Sequence, residues 1–113
     1  MTWSDEAQRR AVAHVFSGSR TFALVLSDGT EADIERQAGA LSEPVHVRSG
    51  WGATTEAVVE FPQFAESKDA RVEAIAVYDG PVRLALAAIE PVLVSARVAV
   101  VLRPGDFWVG LGE

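Results

Sequence analysis

Cysteine is absent from the 113-residue chain, which excludes a disulfide scaffold, a zinc ribbon and a thiol nucleophile. Lysine is nearly absent: Lys68 stands alone beside nine arginines, and sixteen acids take the formal charge to −6. That balance repels phosphate backbones and anionic lipid, so neither nucleic acid nor a membrane surface is an expected partner. No apolar run exceeds Leu84–Ile89, far short of the ~20 residues that span a bilayer. The stretch Met1–Glu6 lacks the basic start of a signal peptide, so synthesis and assembly in a cytoplasm are expected. Also missing are the G-x-S-x-G nucleophile elbow, the phosphate loop and the dinucleotide fingerprint.

What is present suffices for a core. Hydrophobic residues make up 49% of the chain and charged ones 23%, the balance of one globular domain spanning residues 1–113. A helix is expected over residues 4–16. Ser4 is a good N-cap, Asp5 and Glu6 sit at the positive end of the helix dipole, and Asp5/Arg9 and Glu6/Arg10 are spaced for ion pairs. Ala7, Ala11, Val12, Val15 and Phe16 form its apolar stripe, and Gly18 is placed to end it. Trp3, just before the cap, suits a hydrophobic staple.

From residue 21 to residue 111 the period changes to two, with turn signals at short intervals. Phe22, Leu24 and Leu26 alternate with smaller residues up to Asp28-Gly29, a hairpin signal, and Thr30, Ala32 and Ile34 suggest the returning strand. Residues 37–43 read as a loop, residues 44–49 as a short strand, and Gly50-Trp51-Gly52 as a loop tip. Strands follow around Val59, over 72–78 and 82–90, over 98–103 and over 107–111, with Pro91 breaking or bending the second long run. One helix followed by closely spaced strands predicts a mainly β fold: an antiparallel β-sandwich or small barrel with an N-terminal α-helix.

The late strands are apolar on both faces. Ile75 and Val77 alternate with Ala74 and Ala76, and Leu84 and Leu86 with Ala85 and Ala87. A two-layer sandwich leaves one side of each sheet to water, so something must cover the second side. Either the N-terminal helix lies across it, or another subunit does.

Several segments resemble a family of small tailed-phage virion proteins, the minor tail or tail-fibre proteins. The similar pieces are Phe22–Ser27, Pro44–Arg48, the Gly50-Trp51-Gly52-Ala53 stretch and Val58–Pro62. Val72–Gly80, a strand ending in an aromatic, an Asp and a Gly turn, and the closing Arg103–Leu111 complete the likeness. The short segment between Ile34 and Pro44 departs from the family, lacking its Gly-rich tract. The resemblance implies a non-enzymatic, tail-associated structural protein assembled in the host cytoplasm and carried in the virion. It implies other virion proteins and further copies of itself as partners, a trimer being one such assembly. No cofactor is implied.

Candidate chemistry is sparse. His14, near the end of the helix, suits the dipole there, and His46 beside Val45 and Val47 is accounted for by an outward strand position. Two histidines without ligand spacing predict no metal site. Glu31, Asp33 and Glu35 alternate as on a strand, which lines them along one face without wrapping a calcium ion. Association is the better expectation, with Trp51, Phe107 and Trp108 as anchors and Val12, Val15 and Phe16 of the helix as a docking stripe. Two alternatives are a capsid-surface decoration protein, and a host-glycan-binding module in which Trp51 stacks on a sugar ring.

Overall fold

Ser4 opens the helix through its own side chain: its Oγ accepts the Ala7 amide N–H at 3.2 Å. The computed structural model in which this cap is seen describes residues 4–16, 18–47 and 50–110. Trp3, the Asp5 side chain, Arg48, Ser49 and Leu111 lie outside the described residues. The chain runs α1 (Asp5–Phe16), β1 (Gly18–Leu26), β2 (Gln37–Leu41), β3 (Val45–Val47), β4 (Gly50–Ala53) and β5 (Val59–Glu60). It continues with β6 (Arg71–Asp79), β7 (Val82–Leu93), β8 (Val101–Leu102) and β9 (Val109–Gly110). All pairings are antiparallel. They make a four-stranded sheet in the order β2-β1-β6-β7, a three-stranded sheet β3-β4-β9 and the pair β5-β8. The fold is mainly β with one N-terminal helix, as the period change predicts.

Glu6 binds two arginines on the exposed side of α1, Arg9 at 2.6 Å and Arg10 at 2.9 Å. Hydrogen bonds from both guanidinium groups hold the Glu6 carboxyl down at about 2. The helix ends where expected. Gly18 adopts φ +99°, and the Arg20 guanidinium turns back to donate to the Val15 carbonyl, one of the acceptors a helix end leaves open. The opposite side of α1 sends Val12 and Phe16 into the main core and packs on β4, touching β9.

That core lies between the four-stranded sheet and the smaller sheets. Phe22, Leu24, Ile75 and Val77 face Phe61, Leu102, Phe107 and Val109 across it. The Phe22 and Phe107 rings meet edge to face, with centroids 6.0 Å apart.

The first hairpin differs from expectation. Its turn forms as Asp28-Gly29 predicts: the Gly29 N–H donates to the Leu26 carbonyl, Gly29 takes φ +88°, and Asp28 accepts the Thr30 amide N–H at 2.9 Å. The returning segment then leaves the ladder. Only Glu31 bridges to Val25, and the Ala32 N–H reaches the Leu24 carbonyl before the chain bulges outward. It rejoins at Gln37 opposite Phe22, so the strand that partners β1 is Gln37–Leu41, the segment whose composition suggests a loop. Gly39 makes this pairing possible. A Cβ at that position would stand 2.8 Å from Phe22 Cε2 and 3.0 Å from Val59 Cγ2.

Two later turns follow their residue types. Gly80 at φ +60° leads a two-residue loop between Asp79 and Val82, the type II′ arrangement that matches strand twist. Pro104 and Gly105 occupy the centre of a turn closed by the Asp106 N–H on the Arg103 carbonyl, with Gly105 at φ +92°. Pro91 bends β7 without ending it: three residues, Ile89–Pro91, face the single residue Glu73 of β6 before pairing resumes at Val92.

Candidate functional site

The six residues expected to anchor an interface fall in different places. Val12, Phe16 and Phe107 are buried in the chain's own core, and Val15 is half-buried against it. The docking stripe of the helix is therefore consumed internally. Only Trp108 lies open, 40% exposed.

Trp51 requires the largest correction. It is not at an exposed loop tip: it lies within β4, half-buried, on the strand that α1 covers. Its ring meets the exposed His46 ring edge to face at 5.3 Å, and its Nε1 is buried without a hydrogen-bond partner among the described residues. Two glycines flanking a ring suggest a flexible tip. They lie instead within paired strand, Gly50 opposite Val47 of β3 and Gly52 between Val45 of β3 and Gly110 of β9. A sugar ring stacked on Trp51 would have to compete with contacts the indole already makes.

The acidic run does not assemble either. Asp28 is occupied with Thr30, whose hydroxyl and amide hydrogen bonds hold its carboxyl below the usual range. Glu31 grips Arg36 through two hydrogen bonds of 3.0 and 2.8 Å, and its carboxyl is lowered in consequence. The strand alternation expected of Glu31, Asp33 and Glu35 is absent because residues 32–36 are not in a strand. Among the described residues, no group of three or more His, Asp or Glu side chains gathers as for a metal ion.

A different surface emerges on the outer side of the four-stranded sheet. Ala23 and Val25 of β1 and Ala76 of β6 form a second, separate cluster there, buried within the chain and flanked by the half-buried Ala74 and Tyr78, so this side opens to solvent only towards β7. Of the two coverings that the sequence leaves open, the helix is excluded, since α1 packs on β4 on the other side of the main core. One small cover is local: Arg36, held by Glu31, lies 4.0 Å over the centroid of the Tyr78 ring. The bulge that removes residues 33–36 from the ladder is what brings Arg36 there, a contact the sequence does not signal.

Towards β7 nothing covers the sheet among the described residues. Leu86 is 53% exposed, and Val82 and Leu93 of the same strand are also more than half exposed. The two edges of the sheet differ as well. Beyond β2, the Ser42 N–H donates to the Thr54 carbonyl and the Glu56 N–H to the Ala40 carbonyl, so that edge is closed. Thr54 in turn accepts the Gly105 N–H at 2.8 Å, tying the last turn to this corner. The outer edge of β7 has no backbone partner among the described residues. A groove of about 410 Å³ runs beside its second half, between Ile89, Glu90 and Val92 on one side and Val100–Arg103 on the other. Its unpaired edge and exposed leucines belong to the segment whose double apolar pattern is visible in the sequence. The edge position itself is not, because strand order is a long-range property.

No helix among the described residues is long and apolar enough to cross a membrane. Comparison with family models, with curated proteins and with solved structures found no match.

Proposed function

We propose that this chain is a non-enzymatic structural protein of a tailed-phage particle, associated with the tail, acting by self-association and by docking to another virion protein. The observation that carries this reading is the twelve-residue edge strand β7: Val82, Leu86 and Leu93 are each more than half exposed, and its outer edge has no backbone partner among the described residues. Edge strands of that length and character are ordinarily shortened, charged or covered, because they pair with whatever strand they meet. A surface left in this state suits a protein whose working form is an assembly. The likeness of Val72–Gly80 and Arg103–Leu111 to tail proteins gives the assembly its class. Synthesis would take place in the host cytoplasm, with the finished protein residing in the virion.

Immunogold labelling of purified particles with antibody raised against the chain tests the reading. Label on the tail supports it. Label spread over the head replaces the tail by the capsid surface, and particles free of the chain by mass spectrometry overturn it.

A further inference from the structure

The chain has no asparagine, and its aspartates precede glycine twice, at Asp28-Gly29 and at Asp79-Gly80. A glycine in that position leaves the backbone nitrogen unshielded by a Cβ, so the nitrogen can reach the side-chain carboxyl. Both pairs sit in exposed turns, yet the fold treats them oppositely. At the first pair both reacting groups are engaged. The Gly29 N–H donates to the Leu26 carbonyl at 2.9 Å, and Asp28 Oδ1 accepts the Thr30 amide N–H at 2.9 Å and the Thr30 hydroxyl at 2.6 Å. Those bonds hold the carboxyl below its usual range, and the ionised form has no hydroxyl to lose. At the second pair neither group is engaged. The exposed Asp79 side chain makes no hydrogen bond or ion pair among the described residues, and the Gly80 N–H has no acceptor there.

We infer that Asp79-Gly80 is a site of spontaneous backbone isomerisation to isoaspartate in the folded chain, and that Asp28-Gly29 is closed to it. The Gly80 nitrogen forms a bond to Asp79 Cγ, the Cγ–OH bond breaks, and the hydroxyl leaves with the amide proton as water. Water then opens the five-membered imide. Attack at Cγ restores aspartate, whereas attack at the α-carbonyl leaves the main chain running through the Asp79 side chain. Neither oxidant nor partner is needed, and the mass of the chain is unchanged. To bring nitrogen and carboxyl together the Asp79–Gly80 peptide must rotate, which opens the terminal Asp79–Val82 pair of the hairpin. That end is weakly held: Val82 is 58% exposed, and the register already shifts between Val77 and Tyr78. The product carries an extra backbone carbon in a two-residue loop, so it loosens the start of β7, the strand with the open edge. This chemistry does not depend on the virion reading, and the two can fail separately.

Incubating the folded chain in mildly acidic heavy-oxygen water tests the assignment, because each round of imide formation and opening fixes one heavy oxygen. Digestion with trypsin in ordinary water places the two sites on separate peptides, Thr21–Arg36 and Val72–Arg83. Label and isoaspartate-specific fragments should build at Asp79 about tenfold or more faster than at Asp28, a factor that two hydrogen bonds to a charged group supply. A chain unfolded in urea should label both sites at similar rates, which assigns the difference to the fold. Thr30→Ala, with its fold verified by thermal melting, should speed labelling at Asp28 and leave Asp79 unchanged. Equal rates in the folded chain, or label at Asp28 ahead of Asp79, overturn the inference. So does a folded chain that labels at neither site while the unfolded chain labels at both.

Discussion

Placing a methyl group on Gly39 probes the contact on which the β1–β2 pairing depends. The added Cβ would lie 2.8 Å from Phe22 Cε2 and 3.0 Å from Val59 Cγ2, against the ~3.5–4.0 Å at which carbon atoms rest. Relief requires a shift of about 1 Å in a ring that is fully buried and held at its edge by Phe107. Overpacking of this kind costs ~1–3 kcal/mol. Replacing glycine also narrows the unfolded ensemble, which returns ~0.4–1 kcal/mol. Gly39→Ala is therefore expected to destabilise the fold by about 1–2 kcal/mol, read as a lower midpoint in urea with unchanged slope. The cause is tested by Phe22→Leu, which removes the ring atom in the way. In that background the cost of Gly39→Ala should fall by ~1 kcal/mol, a coupling that a double-mutant cycle measures directly. A neutral or stabilising Gly39→Ala, or one whose cost is unchanged in the Phe22→Leu background, would refute the close-approach argument.

Acid should weaken the N-terminal helix with a defined sign. The Glu6 carboxyl is lowered from 4.5 to about 2 by its hydrogen bonds to Arg9 and Arg10, so its contribution is whole above pH 4.5 and is lost as pH falls through about 2. Melting temperatures of the wild type and Glu6→Gln should converge as pH drops across that window, modestly because the pair is exposed to solvent, and parallel curves would count against the pair. Phe107→Ala should cost ~3–5 kcal/mol in the isolated chain, since the ring is 2% exposed and packs on Phe22. A stable Phe107→Ala monomer that fails only in association would instead return this residue to an interface.

How much of the molecule is legible from residue order depends on the range of the interaction. The helix is readable because its signals lie within a turn or two of each other: Ser4 against Ala7, Glu6 against Arg10, Gly18 just past Phe16. Turns at Asp28-Gly29, Gly80-Pro81 and Pro104-Gly105 are readable for the same reason, a positive φ that only glycine takes without strain. The alternation of β1 and β6 marks which residues enter the core. The strand Gln37–Leu41 is not readable. Its small and polar residues carry no period, and it is a strand because Gly39 admits the Phe22 ring.

Trp51 shows the same division more sharply. Between two glycines it has the local character of a tip, yet α1 settles over β4 and makes it part of a packed layer. Composition and spacing settled the class of fold, the turns and the presence of apolar residues on both sides of the late strands. Which side of those strands is enclosed, and which edge stays unpaired, depended on where a distant helix and the segment at 54–56 came to rest. Side-chain periodicity is a property of neighbours along the chain, whereas coverage is a property of neighbours in space.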